Sequence, residues 1–248
     1  MRGSRYLLAT LAALMLFLSA APAAAQVLLV LSEAGGAYEE TAEAFRSELR
    51  RLAPQHTVVS TTAKDLTALG DHALVVTLGS QAARSVAAQG PHPPTIHSLL
   101  PRSAFDRIPG LKEGRDSAVL LDQPASRQMD LIRLALPEFS RVALLEGRES
   151  HDLVDRLAEA ARERKLTVVR EAVLHEKDLY AALQRVTAEP AVLLAIPDSG
   201  VFNSYSIQNI LLTTYRQHSP MVGFSAAYVR AGAVLGLYST PAQVGRQT

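Results

Sequence analysis

From Gln26 onward the chain alternates short apolar runs with longer amphipathic ones. Val27-Leu28-Leu29-Val30-Leu31 contains no polar position, the pattern of a strand covered on both faces. Tyr38, Ala42, Phe45, Leu49 and Leu52 then recur at helical spacing, and Pro54 ends that segment. Further strands are predicted over 56–61 and 73–78, the second closed by Gly79-Ser80 at the start of a helix, and shorter ones over 95–98 and 117–121. The rhythm then restarts. A helix over 128–135 is stopped by Pro137, strands follow over 141–145 and 166–169, and helices over 153–163 and 179–186. A buried strand over 191–196, a long helix over 202–218, a short strand over 221–223 and a last apolar run over 233–238 complete the pattern.

Strands alternating with helices of this length indicate βαβ units, parallel sheets and right-handed crossovers that put helices on both sheet faces. Because the pattern runs twice, the reading is α/β with two doubly wound, Rossmann-like lobes, 26–121 and 122–248, with hinge segments near 122–124 and 238–241. One larger sheet is the alternative. No close residue-level repeat accompanies the repeated architecture.

The segment before Gln26 changes the picture by adding a compartment. Arg2 and Arg5 precede an apolar stretch from Leu7 to Ser19, and Ala21-Pro22-Ala23-Ala24-Ala25 supplies small residues for cleavage, the layout of a secretion signal over 1–25. The apolar stretch is shorter than the ~20 residues of a membrane span. The chain has no cysteine, so neither a disulfide nor a lipid on a cysteine is expected, and a buried core must stabilise it. The expectation is an exported, periplasmic, monomeric protein without a lipid anchor. Its formal charge is +1 and drops slightly once Arg2 and Arg5 are removed, which argues against nucleic acid or an anionic surface as partner.

Open parallel sheets bind ligands beyond the carboxyl ends of their strands. That rule selects Ser32 to Tyr38 and Gly79-Ser80-Gln81 in the first lobe, and Glu146 to Ser150 and Pro197 to Asn203 in the second. Gly79 and Ser80 place a flexible residue and a hydroxyl at a helix start, where free N–H groups can hold a carboxylate; N-capping explains Ser80 as well. Asp198 can grip an amine or sugar hydroxyl, or shape the turn before Phe202. Arg148 can pair with a carboxylate or stay solvated. Gly35-Gly36 has neither dinucleotide nor P-loop spacing.

Catalytic constellations are poor, and neither an enzyme nor a cofactor is expected. Gly223-Phe224-Ser225-Ala226-Ala227 approaches a nucleophile elbow, but Ala227 stands in the place of its second glycine, and Ser225 reads equally as the cap of a short helix carrying Tyr228. His92 and His97, among Pro91, Pro93 and Pro94, have no third ligand at metal-site spacing and read as a coincidental loop pair, so no metal is expected.

Three motifs occur in a characteristic order: Val75-Val76-Thr77-Leu78-Gly79-Ser80-Gln81-Ala82-Ala83; Ala191 to Asp198; and Ser219-Pro220-Met221-Val222-Gly223-Phe224 running on to Ala231-Gly232-Ala233, Tyr238-Ser239 and Gly245-Arg246-Gln247. In these the chain resembles the ABC-transporter substrate-binding family related to bacterial tryptophan- and tyrosine-uptake proteins, on the type I periplasmic-binding fold. The resemblance spans most of Val27 to Gln247. It implies a small polar solute, an amino acid or related carboxylate, held by Ser32, Ser80, Asp198 and the segment Ser225 to Tyr228. Tyr38, Gly79, Gln81, Arg148 and Asn203 complete the candidate ligand set. It also implies an inner-membrane ABC permease as partner. The chain departs from the family in two ways: it stops at Thr248 with no evident segment returning to the first lobe, and it has no tryptophan, six phenylalanines and seven tyrosines. Two further readings stand beside transport: a periplasmic sensor or interaction partner of a membrane protein, and an exported hydrolase using Ser225.

Overall fold

The computed structural model describes residues 25–111 and 114–248. The secretion signal read in 1–25 lies outside the described residues, apart from Ala25. The strand β1 (Gln26–Leu31) shows why its sequence carries no polar position. Val27, Leu29 and Leu31 pack on one face with Ala42 and Phe45 of helix α1 (Gly36–Leu52). Leu28 and Val30 pack on the other with Ala82 and Val86 of α2 (Ser80–Ala87). A strand sandwiched between two helix layers has no face left for a polar side chain.

The strands β2 (Thr57–Thr62), β3 (Leu74–Leu78), β4 (Thr95–Leu100) and β5 (Asp116–Leu120) join β1 in one sheet of order β2-β1-β3-β4-β5, with the short helix α3 (Arg102–Phe105) between the last two. A second sheet contains β6 (Arg141–Glu146), β7 (Thr167–Ala172), β8 (Val192–Leu194), β9 (Met221–Gly223) and β10 (Leu235–Gly236), in the order β7-β6-β8-β9-β10. The recorded pairings in both are parallel. Taken in chain order, each sheet follows 2-1-3-4-5, so two sheets replace the alternative of one. Helices α4 (Ala125–Ala135), α5 (His151–Glu163), α6 (Leu179–Val186), α7 (Ile207–Arg216) and α8 (Ala226–Ala231) belong with the second sheet, whose core centres on Leu144, Leu145, Leu157, Leu183 and Leu193.

The chain divides into two compact units. Unit 1 takes the chain up to Leu99, then Ile108–Val119 and Pro241–Thr248; unit 2 takes Leu100–Arg107 and Leu120–Thr240. Two boundaries of the sequence reading are therefore corrected. Leu100–Arg107 belongs with unit 2, where Leu100 O accepts from Leu121 N, the Arg102 amide donates to Asp122 Oδ2 at 2.6 Å and Arg107 pairs with Glu149 at 2.7 Å. The last eight residues belong with unit 1, and a returning segment does exist: helix α9 (Pro241–Gln247) lies on α1.

A polar-looking tail makes this contact because its one large apolar residue, Val244, and its glycine, Gly245, are both buried. A Cβ on Gly245 would run into the Thr41 carbonyl and lie 2.8 Å from Ala44 Cβ and 3.0 Å from Phe45 N. Backbone cannot yield as a side-chain tip does. Gly245→Val is expected to lift α9 and lower the stability of unit 1 by about 1–3 kcal/mol, read as a drop in urea midpoint.

The predicted helix over 202–218 also begins later, at Ile207. Asn203 Oδ1 accepts from the amides of Tyr205 and Ser206, and Ser206 Oγ donates to Val201 O at 2.6 Å. These local side-chain bonds hold 203–206 as turns instead of helix.

Candidate functional site

The order 2-1-3-4-5 places a topological switch point between β1 and β3, and the corresponding one between β6 and β8. The four loops chosen from sequence are those that leave the carboxyl ends of these strands.

In unit 1, β1 ends at Leu31 and β3 at Leu78, paired in register, so Ser32 and Gly79 emerge side by side. Ser32 is buried, donates through Oγ to Leu78 O at 2.9 Å and accepts from the Ala82 amide at 3.1 Å. It thereby caps α2 from a neighbouring loop, and Ser80, expected to cap, is instead the first helical residue behind Gly79. Gly79 has φ +91, and a Cβ there would stand 2.5 Å from both Ser32 Oγ and Tyr38 Cε1. Tyr38 thus covers the Gly79 turn, while Ser80 is half-buried and Gln81 exposed. The first N–H groups of α2, those of Ser80 and Gln81, lie outside its intrahelical ladder. Ser32, Tyr38, Gly79 and Ser80 come together; the Ser32 hydroxyl is committed to Leu78 O and the Gly79 amide to Ser98 O, so the neutral donors offered to an acceptor-rich group are those of Tyr38 and Ser80.

In unit 2 the corresponding loops hold each other. The Asp198 carboxylate, 3% exposed, accepts from the Gly200 amide at 2.9 Å and the Glu149 amide at 3.3 Å. It sits against Gly147, where a Cβ would approach its Cγ to 2.5 Å. Ser150 Oγ accepts from the Gly147 amide at 2.9 Å. Asn203 bonds to Ser199 O, Tyr205 N and Ser206 N. Arg148 is exposed and its Nε donates to Leu174 O, beyond the end of β7. Gly147 and Ser150 lie in a loop selected from the sequence but are not in the candidate ligand set; a Gly three residues before a Ser at a strand-to-helix turn is the signal for their part in the clamp. Beside the clamp, Glu146 holds the exposed His151 ring at 2.6 Å, and that hydrogen bond, helped by Asp155, raises the imidazole pKa above its ordinary value.

Beyond β9, Ser225 occupies the N-cap position of α8 in extended backbone without making the expected capping bond. Tyr228 is 9% exposed, lies against Gly223 and has its ring centroid 4.5 Å from that of Phe224. Burial pushes its phenol up to about 12, so the hydroxyl is a neutral donor across the physiological range. Among the described residues no hydrogen bond joins Ser225 to a histidine.

His92 and His97 differ from the coincidental loop pair read in the sequence. His97 lies on β4, and both rings approach the Asp116 carboxylate, at 3.9 and 3.1 Å. Among the described residues no group of three or more acidic, histidine or cysteine side chains has the arrangement of a metal site. Nor is any helix among them long and apolar enough to cross a membrane.

A scan against protein-family models and a search of curated proteins both found no match. Solved structures do match. The ligand-free, open structure of a substrate-binding protein with adhesive properties from Clostridium difficile gives a TM-score of 0.69 at 13% identity. An ABC domain in complex with L-Trp from Streptococcus pneumonia gives 0.61 at 17%. A conserved domain protein from Vibrio cholerae gives 0.60 at 17%. Each alignment covers 90% of this chain and 82% of the other. With its two parallel five-stranded sheets of like order, the chain has the α/β fold of the type I periplasmic-binding proteins.

Proposed function

We propose that this chain is an exported solute-binding protein that captures a small polar solute, an amino acid or related carboxylate, and delivers it to an inner-membrane ABC permease. The observation that carries the reading is the Ser32–Tyr38–Gly79–Ser80 arrangement at the switch point of unit 1. There a side-chain cap, an aromatic lid and a side-chain-free turn leave the first N–H groups of α2 pointing off the sheet end. Such a helix start favours a carboxylate by its N–H groups and its dipole. In unit 2, Tyr228 and the exposed Arg148 supply further donors from the equivalent sheet end. The fold shared with substrate-binding proteins supports the same reading. Export by residues 1–25 and a monomeric state belong to it.

The test is a thermal-shift screen of residues 26–248 against amino acids, small carboxylates, nucleosides and sugars. A ligand at a hundred times its dissociation constant is expected to stabilise the folded protein by about 2.7 kcal/mol, seen as a reproducible rise in Tm confined to amino acids or carboxylates. A cooperative melt that no compound moves would sink the transport reading. It would favour an interaction partner of a membrane protein on the same fold. One observation already speaks for that second reading: Ser32, Arg148, Asp198 and Asn203 all have hydrogen bonds within their own unit.

A further inference from the structure

Unit 1 buries a polar cluster that the ligand loops do not use. His97, 1% exposed on β4, places Nδ1 2.9 Å from Thr77 Oγ1 on β3 and Nε2 3.1 Å from Asp116 Oδ1 on β5. The Asp116 side chain is 2% exposed. His92, in the loop before β4, brings its Nε2 to 3.9 Å from the same carboxylate oxygen, while its Nδ1 lies within hydrogen-bond distance of Pro93 O and Thr95 Oγ1. Among the described residues the titratable groups seen to face His97 are Asp116 from β5 and His92 from the preceding loop, and β3 contributes the uncharged Thr77 hydroxyl.

The cluster's position in the chain gives it consequence. β4 and β5 are the strands from which the chain leaves unit 1, after Leu99 and after Val119. Leu99, two residues beyond His97, is one of few non-glycine residues with positive φ, at +58. Ser98, the residue between them, bonds through Oγ to Thr248 Oγ1 at 2.8 Å, so the third segment of unit 1 is tied to the same point. All three chain segments of the unit meet at 97–99.

We propose that the His97–Asp116 pair, with His92 beside it, is a pH-sensitive anchor that holds β4 to β5 where the chain leaves unit 1, and that acid loosens it. At neutral pH one arrangement satisfies both ring nitrogens of His97: Thr77 donates to Nδ1 and Nε2–H donates to Asp116 Oδ1. A second proton on His97 needs Nδ1 to become a donor, so the Thr77 hydroxyl must turn from donor to acceptor in a space with no water contact. Burial accordingly lowers the His97 pKa from its ordinary value, a shift only partly opposed by Asp116. The unfolded chain then binds the extra proton more readily than the folded one. Full stability is present above about pH 6.5 and is lost as pH falls from there towards the folded value.

The experiment is amide hydrogen exchange on the full chain from residue 26, comparing protection factors at pH 7.5 and 5, with β6 as internal reference. Amides of β4 and β5 are expected to lose protection at pH 5 relative to β6, by up to about thirtyfold, the ceiling set by the distance between pH 5 and the unfolded value of about 6.5. In His97→Gln, which retains a donor for Asp116, that difference is expected to vanish. Equal protection at both pH values, or an equal loss in β6, would overturn the proposal. Should the variant not fold, the NMR titration of His97 in the unaltered protein decides it: an inflection at or above 6.5 rejects the anchor, and one below supports it.

Discussion

Gly79→Val is expected to lower the stability of unit 1 by about 2–5 kcal/mol and, under the proposed function, to remove solute binding with it. Two costs add. A left-handed residue with a Cβ costs about 1–2 kcal/mol, and more when β-branched, because the Cβ crowds its own carbonyl. Overpacking adds about 1–3 kcal/mol, since the new Cβ would meet Ser32 Oγ and Tyr38 Cε1 at 2.5 Å. Ser32 cannot step aside cheaply: its hydroxyl is held by Leu78 O and caps Ala82 N. Gly35→Val separates the two costs. Its φ, +84, is close to that of Gly79, but nothing stands within 4 Å of its Cβ position, so only the backbone cost of about 1–2 kcal/mol is expected. Urea midpoints of the two variants test this directly. Equal losses would mean that Tyr38 and Ser32 yield freely and that the turn is not a built cradle.

The same residues show what was legible in the sequence. β1 was readable because helices on both sides demand an unbroken apolar run, and a five-residue run of Val and Leu has few other uses. The four loops were readable because the sheet order fixes where they emerge. What Ser32 does there was not, since its partners Leu78 and Ala82 are 46 and 50 residues away. α9 was missed for a related reason: helix-on-helix contact through a glycine leaves little hydrophobic signal. The His97–Asp116 pair is 19 residues apart across a strand pairing, and local spacing carries no trace of it. The shortened α7 was a different kind of miss. Asn203 and Ser206 are visible turn-formers, and their local hydrogen bonds outweigh continuation of the helix through 203–206.

Asp198→Ala is expected to cost about 2–5 kcal/mol in unit 2, because it strands the Gly200 and Glu149 amides beside a carboxylate site that is 3% exposed. The carboxylate also fills the space over Gly147, so its removal leaves a small void where the 147–150 and 198–200 loops meet. Asp198→Asn is expected to cost about half as much. Its single carbonyl oxygen can serve one amide, while its NH2 turns a donor towards the other. Gly147→Ala approaches the same contact from the opposite side: it keeps the carboxylate, but its Cβ would crowd both oxygens and stand 2.5 Å from the Asp198 Cγ, so it should push the loops apart and strain the bonds to the Gly200 and Glu149 amides. The comparison assigns Asp198 its role. If the clamp is the role, stability falls in the order Gly147→Ala or Asp198→Asn, then Asp198→Ala, and solute binding weakens in step with it. If Asp198 instead grips the solute, Asp198→Asn abolishes the thermal shift while the urea midpoint hardly moves. A buried carboxylate already holding two backbone amides has little capacity left for a ligand, and the first pattern is the one expected.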